Sequence, residues 1–192
     1  MQTNILITGV GGQGIVLTSK LIAQTAMSKD IPVMSAETIG MAQKGGSVFS
    51  FLRLGDEACC PMFPQGSADI LIAFEPAEAV RMLPYLKTHG RVIVNTHPIM
   101  PVTATLKGSD YTGAEMLEYL KANVSDVLTI DADRGCAEIG SPKVLNMIML
   151  GAALRSGVLP FTLEDIEDVM KATVRPQFVE MNSRALRYTD DM

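Results

Sequence analysis

The residues best spaced for chemistry lie near the start, in Asn4-Ile5-Leu6-Ile7-Thr8-Gly9-Val10-Gly11-Gly12-Gln13-Gly14. Gly9, Gly11 and Gly14 fit G-x-G-x-x-G, a pattern that allows a tight turn and brings backbone N–H groups close to an anion. Glycines that only let a helix and a strand pack closely would give the same letters. A second patch strengthens the binding reading: Gly40-Met41-Ala42-Gln43-Lys44-Gly45-Gly46-Ser47. There the N–H groups freed by Gly45 and Gly46, with the ammonium of Lys44, would form a second anion cradle. Gln43 and Ser47 add neutral hydrogen-bonding side chains. A plain surface loop before a strand is the alternative. The candidate binding residues are Gly9, Gly11, Gly12, Gln13 and Gly14 in the first segment and Gln43, Lys44, Gly45, Gly46 and Ser47 in the second. Neither segment offers a general base or a nucleophile, so the catalytic residues are unassigned.

Composition excludes several kinds of chemistry. The formal charge of −5 comes with no basic run, which argues against a nucleic-acid binder. Three cysteines occur, Cys59 and Cys60 adjacent and Cys136 alone. With no C-x-x-C, the usual spacing for zinc or an iron–sulfur cluster is missing, and all three read as buried small hydrophobes. His89 and His97, the only histidines, flank an expected strand as loop residues. A secretory signal would need a basic start and a longer apolar stretch, and no apolar run approaches the ~18 residues of a membrane span. The expectation is a cytoplasmic protein.

The elements that must position the glycine segments follow from periodicity. At 192 residues, 47% of them hydrophobic, the chain suits one domain over 1–192 with a helical C-terminal segment from about 141. Ile5-Leu6-Ile7 makes a short buried strand. Ile15, Leu17, Leu21, Ile22 and Ala26 give a helix from about Gly14 to Ser28 its sheet-facing stripe. Strands are expected at 31–36, 48–54, 69–74, 90–95 and 127–131. On the second of these, Phe49, Phe51 and Arg53 face one way and Val48, Ser50, Leu52 and Leu54 the other. Glu37 falls ~20 residues beyond the glycine loop, where a dinucleotide-binding fold keeps its ribose carboxylate. Glu75 could accept a ligand hydroxyl, but capping a helix through about Leu86, with Pro76 in its first turn, suits it better. Ser141-Pro142 opens an apolar helix to about Ser156. Thr162 and Asp165 resemble a capping box, and Phe161 with Ile166 a hydrophobic staple. Met147, Met149, Met170 and Met181 read first as core filler and second as a partner surface. The fold class is α/β: a Rossmann-like, three-layer open sheet, mostly parallel, with a helical C-terminal segment.

The two glycine patches and Phe51-Leu52-Arg53-Leu54-Gly55 resemble the gamma-type subunits of 2-oxoacid:ferredoxin oxidoreductases. Arg175-Pro176-Gln177-Phe178-Val179-Glu180-Met181-Asn182 is similar to the tail of one branch, the small (beta) subunits of indolepyruvate oxidoreductases. The likeness spans nearly the whole chain. One departure is Lys44, where many members carry arginine; the charge is kept and the bidentate fork is given up. The resemblance implies a small subunit in the oxidative decarboxylation of a 2-oxoacid, with coenzyme A as co-substrate and electrons passed to ferredoxin. It implies a larger alpha subunit carrying thiamine diphosphate, magnesium and iron–sulfur clusters. This sequence has no Gly-Asp-Gly with a downstream Asn-Asn, and three cysteines cannot ligate a four-cysteine cluster. Its own part would be shaping the active site or a coenzyme A phosphate site. The isolated subunit could pair with a second copy.

Two other functions fit the residues. The Gly9–Gly14 fingerprint with Glu37 suits a stand-alone NAD(P)-dependent dehydrogenase, against which stand the second glycine patch and the lack of a catalytic dyad. A non-enzymatic nucleotide-binding assembly subunit would account for the methionine-rich helices and a mean hydropathy of +0.23.

Overall fold

A computed structural model describes residues 2–38, 45–55, 60–100 and 111–188. The elements in chain order are β1 (Thr3–Val10), α1 (Ile15–Ser28), β2 (Val33–Glu37), β3 (Ser47–Leu54), β4 (Ala68–Ala73) and α2 (Pro76–Met82). They continue with β5 (Leu86–Asn95), α3 (Ala114–Asn123), β6 (Val127–Ile130), α4 (Ala132–Ile139), α5 (Leu145–Arg155), α6 (Leu163–Thr173) and α7 (Val179–Leu186). One sheet runs β2-β3-β1-β4-β5-β6. Strands β1, β4, β5 and β6 are mutually parallel. Strand β3 is reversed against both its neighbours, β1 and β2.

Alternation along the strands divides the core in two. Ile5, Ile7, Leu52, Leu54, Ile70, Ile72 and Ile93 pack under α1 and α4 to α7. Leu6, Phe51, Leu71, Val92 and Val94 face the other way, against Ala79 and Met82 of α2 and Leu120 of α3. Burial on both faces is why these strands read as unbroken apolar runs. The opposed faces expected for β3 are present, with Phe51 making edge-to-face contacts to Phe49, Phe63 and Tyr85. Met147, Met149 and Met170 are core filler, as read, and Met181 is half-buried.

Several local expectations are corrected. The helix after Glu75 stops at Met82, because Pro84 has no N–H to carry the ladder on, although Leu83 itself is helical, and only a 3-10 turn at Leu83–Tyr85 follows. Strand β5 therefore begins at Leu86, and His89 is a strand residue rather than a loop residue, though exposed. Cys60 is exposed, whereas Cys136 is buried as expected. Cys59 and most of the proline-bearing connection after Thr96 lie outside the described residues.

Candidate functional site

The first glycine segment and the described part of the second, Gly45 to Ser47, lie at the carboxyl edge of the parallel strands, where open α/β sheets bind ligands. β1 ends at Val10, and the antiparallel register sets Ser47, the first residue of β3, opposite it. The N–H of Gly11 donates to the carbonyl of Gly46 at 2.9 Å, joining the two segments directly. Gly12, Gly14 and Gly45 have φ of 103°, 87° and 80°, values that favour glycine. Gly12 faces open space; a Cβ there would meet nothing within 4 Å. Beyond it α1 begins at Ile15 with no side-chain cap and no acid in its first turn, leaving orphan N–H groups and the positive end of the helix dipole at the loop.

The other sequence-selected residues have structural duties. Gln13 folds back so that its Oε1 accepts from the N–H of Val10 at 2.7 Å and its Nε2 donates to the carbonyl of Phe74 at 2.8 Å. Its amide ties the ends of β1 and β4 together. Gly9 makes room for it, because a Cβ at Gly9 would stand 2.6 Å from Gln13 Oε1. Ser47 donates its hydroxyl to Glu78 Oε2 at 2.5 Å. Gln43 and Lys44 lie outside the described residues.

The sequence reading missed Glu78. It is 6% exposed on α2 and also receives the guanidinium of Arg81, Nε to Oε2 at 3.2 Å. Its signal was the spacing Glu75-Pro76-Ala77-Glu78, an acid in the first turn of a proline-led helix. Glu75, 2% exposed, is the cap expected of it: Oε2 accepts from the N–H of Glu78 at 2.9 Å. Tyr111 donates to Glu75 Oε1 and accepts from the N–H of Ala77, completing the helix end. Burial and then the Glu75 carboxylate hold the Tyr111 phenol above its ordinary range, so it stays protonated as a donor. The edge thus presents N–H donors from the glycine loop and α1 beside buried carboxylates at the start of α2. Such a site can take a ligand with an anionic group and a nearby hydrogen-bond donor.

Glu37 does not complete a dinucleotide fingerprint. It ends β2, with β3 standing between that strand and β1, about 10 Å away by strand spacing. Among the described residues no three His, Cys, Asp or Glu side chains group as metal ligands. With Cys60 exposed and Cys136 in the core, the described donors do not fit an iron–sulfur cluster. None of the described helices is long and apolar enough to cross a membrane. A cleft of about 530 Å³ lies at the opposite, amino edge of the sheet, lined by Thr3, Pro32, Leu54 and Leu159 among others, and holds none of the candidate residues.

Residues 4–189 match the pyruvate ferredoxin/flavodoxin oxidoreductase family. The chain belongs to this family. Within the pyruvate ferredoxin/flavodoxin oxidoreductases it is 38% identical to the indolepyruvate oxidoreductase subunit IorB of Methanothermobacter thermautotrophicus, over 97% of this chain and 95% of that one. Identity to IorB of Archaeoglobus fulgidus is 37%, covering 97% and 93%. The crystal structure of pyruvate oxidoreductase subunit PORC from Thermotoga maritima superposes with a TM-score of 0.70 at 25% identity, covering 97% of this chain and 93% of that one. The expectation from the motifs is borne out: this is a small subunit of the 2-oxoacid:ferredoxin oxidoreductase type, a component of a multi-subunit oxidoreductase.

Proposed function

We propose that the chain is the small subunit of an indolepyruvate, or more broadly aryl-pyruvate, ferredoxin oxidoreductase, and that its paired glycine segments hold the phosphates of coenzyme A. The observation that carries this is the Gly11–Gly46 hydrogen bond, which sets two glycine turns side by side at the uncapped N-terminus of α1. The likeness to IorB chains over nearly the full length supports the substrate class. In this scheme a larger cytoplasmic partner carries thiamine diphosphate, magnesium and iron–sulfur clusters, which stabilise the carbanion left by decarboxylation and pass single electrons to ferredoxin. The present chain, acting as one gamma-type domain, binds and orients. The N–H groups of Gly12 and the first turn of α1 hold diphosphate oxygens, with Gln43 and Lys44 adding donors and charge. Gln13 keeps the first loop in shape, and the Ser47–Glu78 contact seats the second.

The test is coenzyme A-dependent reduction of a viologen dye by the complex assembled with its large subunit, using indolepyruvate, phenylpyruvate and pyruvate. Aryl-pyruvates are expected to give the higher kcat/KM. Lys44→Ala is expected to raise the KM for coenzyme A about tenfold while leaving that for the 2-oxoacid unchanged, the signature of lost ground-state binding. Preference for pyruvate would overturn the substrate class, and an unchanged KM for coenzyme A the Lys44 contact.

A further inference from the structure

α5 is buried on every side: each residue from Asn146 to Leu154 is buried. Asn146 is the one amide among them, 3% exposed and with no hydrogen-bond partner among the described residues. Its amide atoms keep a little solvent access, unlike Asn4 Oδ1, Ser19 Oγ and Ser50 Oγ, which are sealed without a partner among the described residues, and leucine or methionine would serve packing alone better. The carboxamide lies against the N-terminus of α1. A Cβ built on Gly14 would stand 3.0 Å from Asn146 Cγ and 3.1 Å from its Nδ2. At that point α1, 14 residues long, starts with no side-chain cap, and the N–H groups of Ile15, Val16 and Leu17 find no acceptor among the described residues. Two independent features therefore converge: an open helix N-terminus and an almost fully buried donor with no protein acceptor among the described residues.

We propose that Asn146 is a ligand-binding residue of the glycine-loop site, its Nδ2 donating to the phosphate oxygen held by the first turn of α1. The inference rests on the assignment of that loop to an organic diphosphate. It adds a contact from the C-terminal helical layer to a site whose anion donors otherwise come from residues before 50. It also accounts for the residue types. An aspartate at 146 would offer its own carboxylate to the open N–H groups and repel an anion, whereas asparagine offers a donor without charge. Gly14 is bare because its left-handed φ and the space taken by Asn146 both exclude a side chain.

The experiment uses the complex assembled with its large subunit, and coenzyme A as the probe. Hydrogen–deuterium exchange of the segment 10–18 is measured with and without saturating coenzyme A. KM values for coenzyme A and for the 2-oxoacid are measured for Asn146→Ala, Asn146→Leu and Asn146→Asp. The expected result is slowed exchange in the natural complex and a KM for coenzyme A raised about tenfold by alanine or leucine. Aspartate should raise it further, although the melting temperature of that variant is at least as high as the parent's. The KM for the 2-oxoacid should not move. Slowed exchange with an unchanged KM for coenzyme A in both alanine and leucine variants would overturn the role of Asn146 and leave the loop assignment standing. Exchange unaltered by coenzyme A in the natural complex would overturn the loop assignment itself, and this inference with it.

Discussion

At the scale of single residues, the glycine fingerprint separates into two kinds of glycine. Gly12 and Gly14 are bare because the backbone turns left-handed there. Gly9 is bare because the Gln13 amide and Phe74 occupy the space its Cβ would need. The spacing G-x-G-x-x-G was legible in the sequence, but this division was not, since Phe74, which follows β4, lies more than sixty residues from Gly9. The cysteines divide in the same manner. Cys60 is exposed, whereas burial and then the Asp133 carboxylate push the Cys136 thiol from its ordinary value of 9.0 to about 11. At pH 8 iodoacetamide should alkylate Cys60 and spare Cys136 until denaturant is added, as read by peptide mass spectrometry. Between pH 9 and 11 the native thiol keeps a proton that the unfolded one has lost, so stability should fall as pH rises through that window. Melting curves of Cys136→Ala should show a shallower decline.

The elements were legible where local chemistry sets them. The Thr162–Asp165 capping box forms as read, with the hydroxyl and the carboxylate each bonded to the other residue's N–H. Ser141 and Pro142 open the turn into α5. Contacts between helices were not legible. A Cβ at Gly151 on α5 would stand 2.0 Å from the carbonyl oxygen of Leu186, so α5 and α7 cross in near backbone contact. One turn on, the Arg155 guanidinium donates to the carbonyls of Leu186 and Tyr188, satisfying the end of α7. Gly151 looks in the sequence like any small residue in an apolar helix; the demand comes from a helix about thirty-five residues later. Gly151→Ala should separate the pair and destabilise the chain by about 3 kcal/mol in chemical denaturation, because overpacking against backbone has no side chain to yield.

Across the whole molecule, the α/β class, the layers and most strand positions followed from apolar periodicity, but the direction of β3 did not. An apolar pattern records which faces are buried, and it reads the same for a strand running either way. Its place between β2 and β1 removes Glu37 from the neighbourhood of β1, and its reversal sets Gly46 beside Gly11. It also makes β3 a frame that indexes the second glycine turn to the core. The pairing runs without a break from Thr3–Leu54 to Val10–Ser47, and a shift of one residue would exchange the faces of every side chain on the strand. A codon inserted within Ser47–Leu54 must therefore either send Phe51 and Leu52 to the wrong layers or move Gly46 off Gly11. Inserting one alanine between Ser50 and Phe51 should abolish the cooperative melt seen by circular dichroism or, if the core holds, abolish the coenzyme A binding proposed for this site. Tolerance of length changes is thus set by the pleat, and it ends where β3 begins.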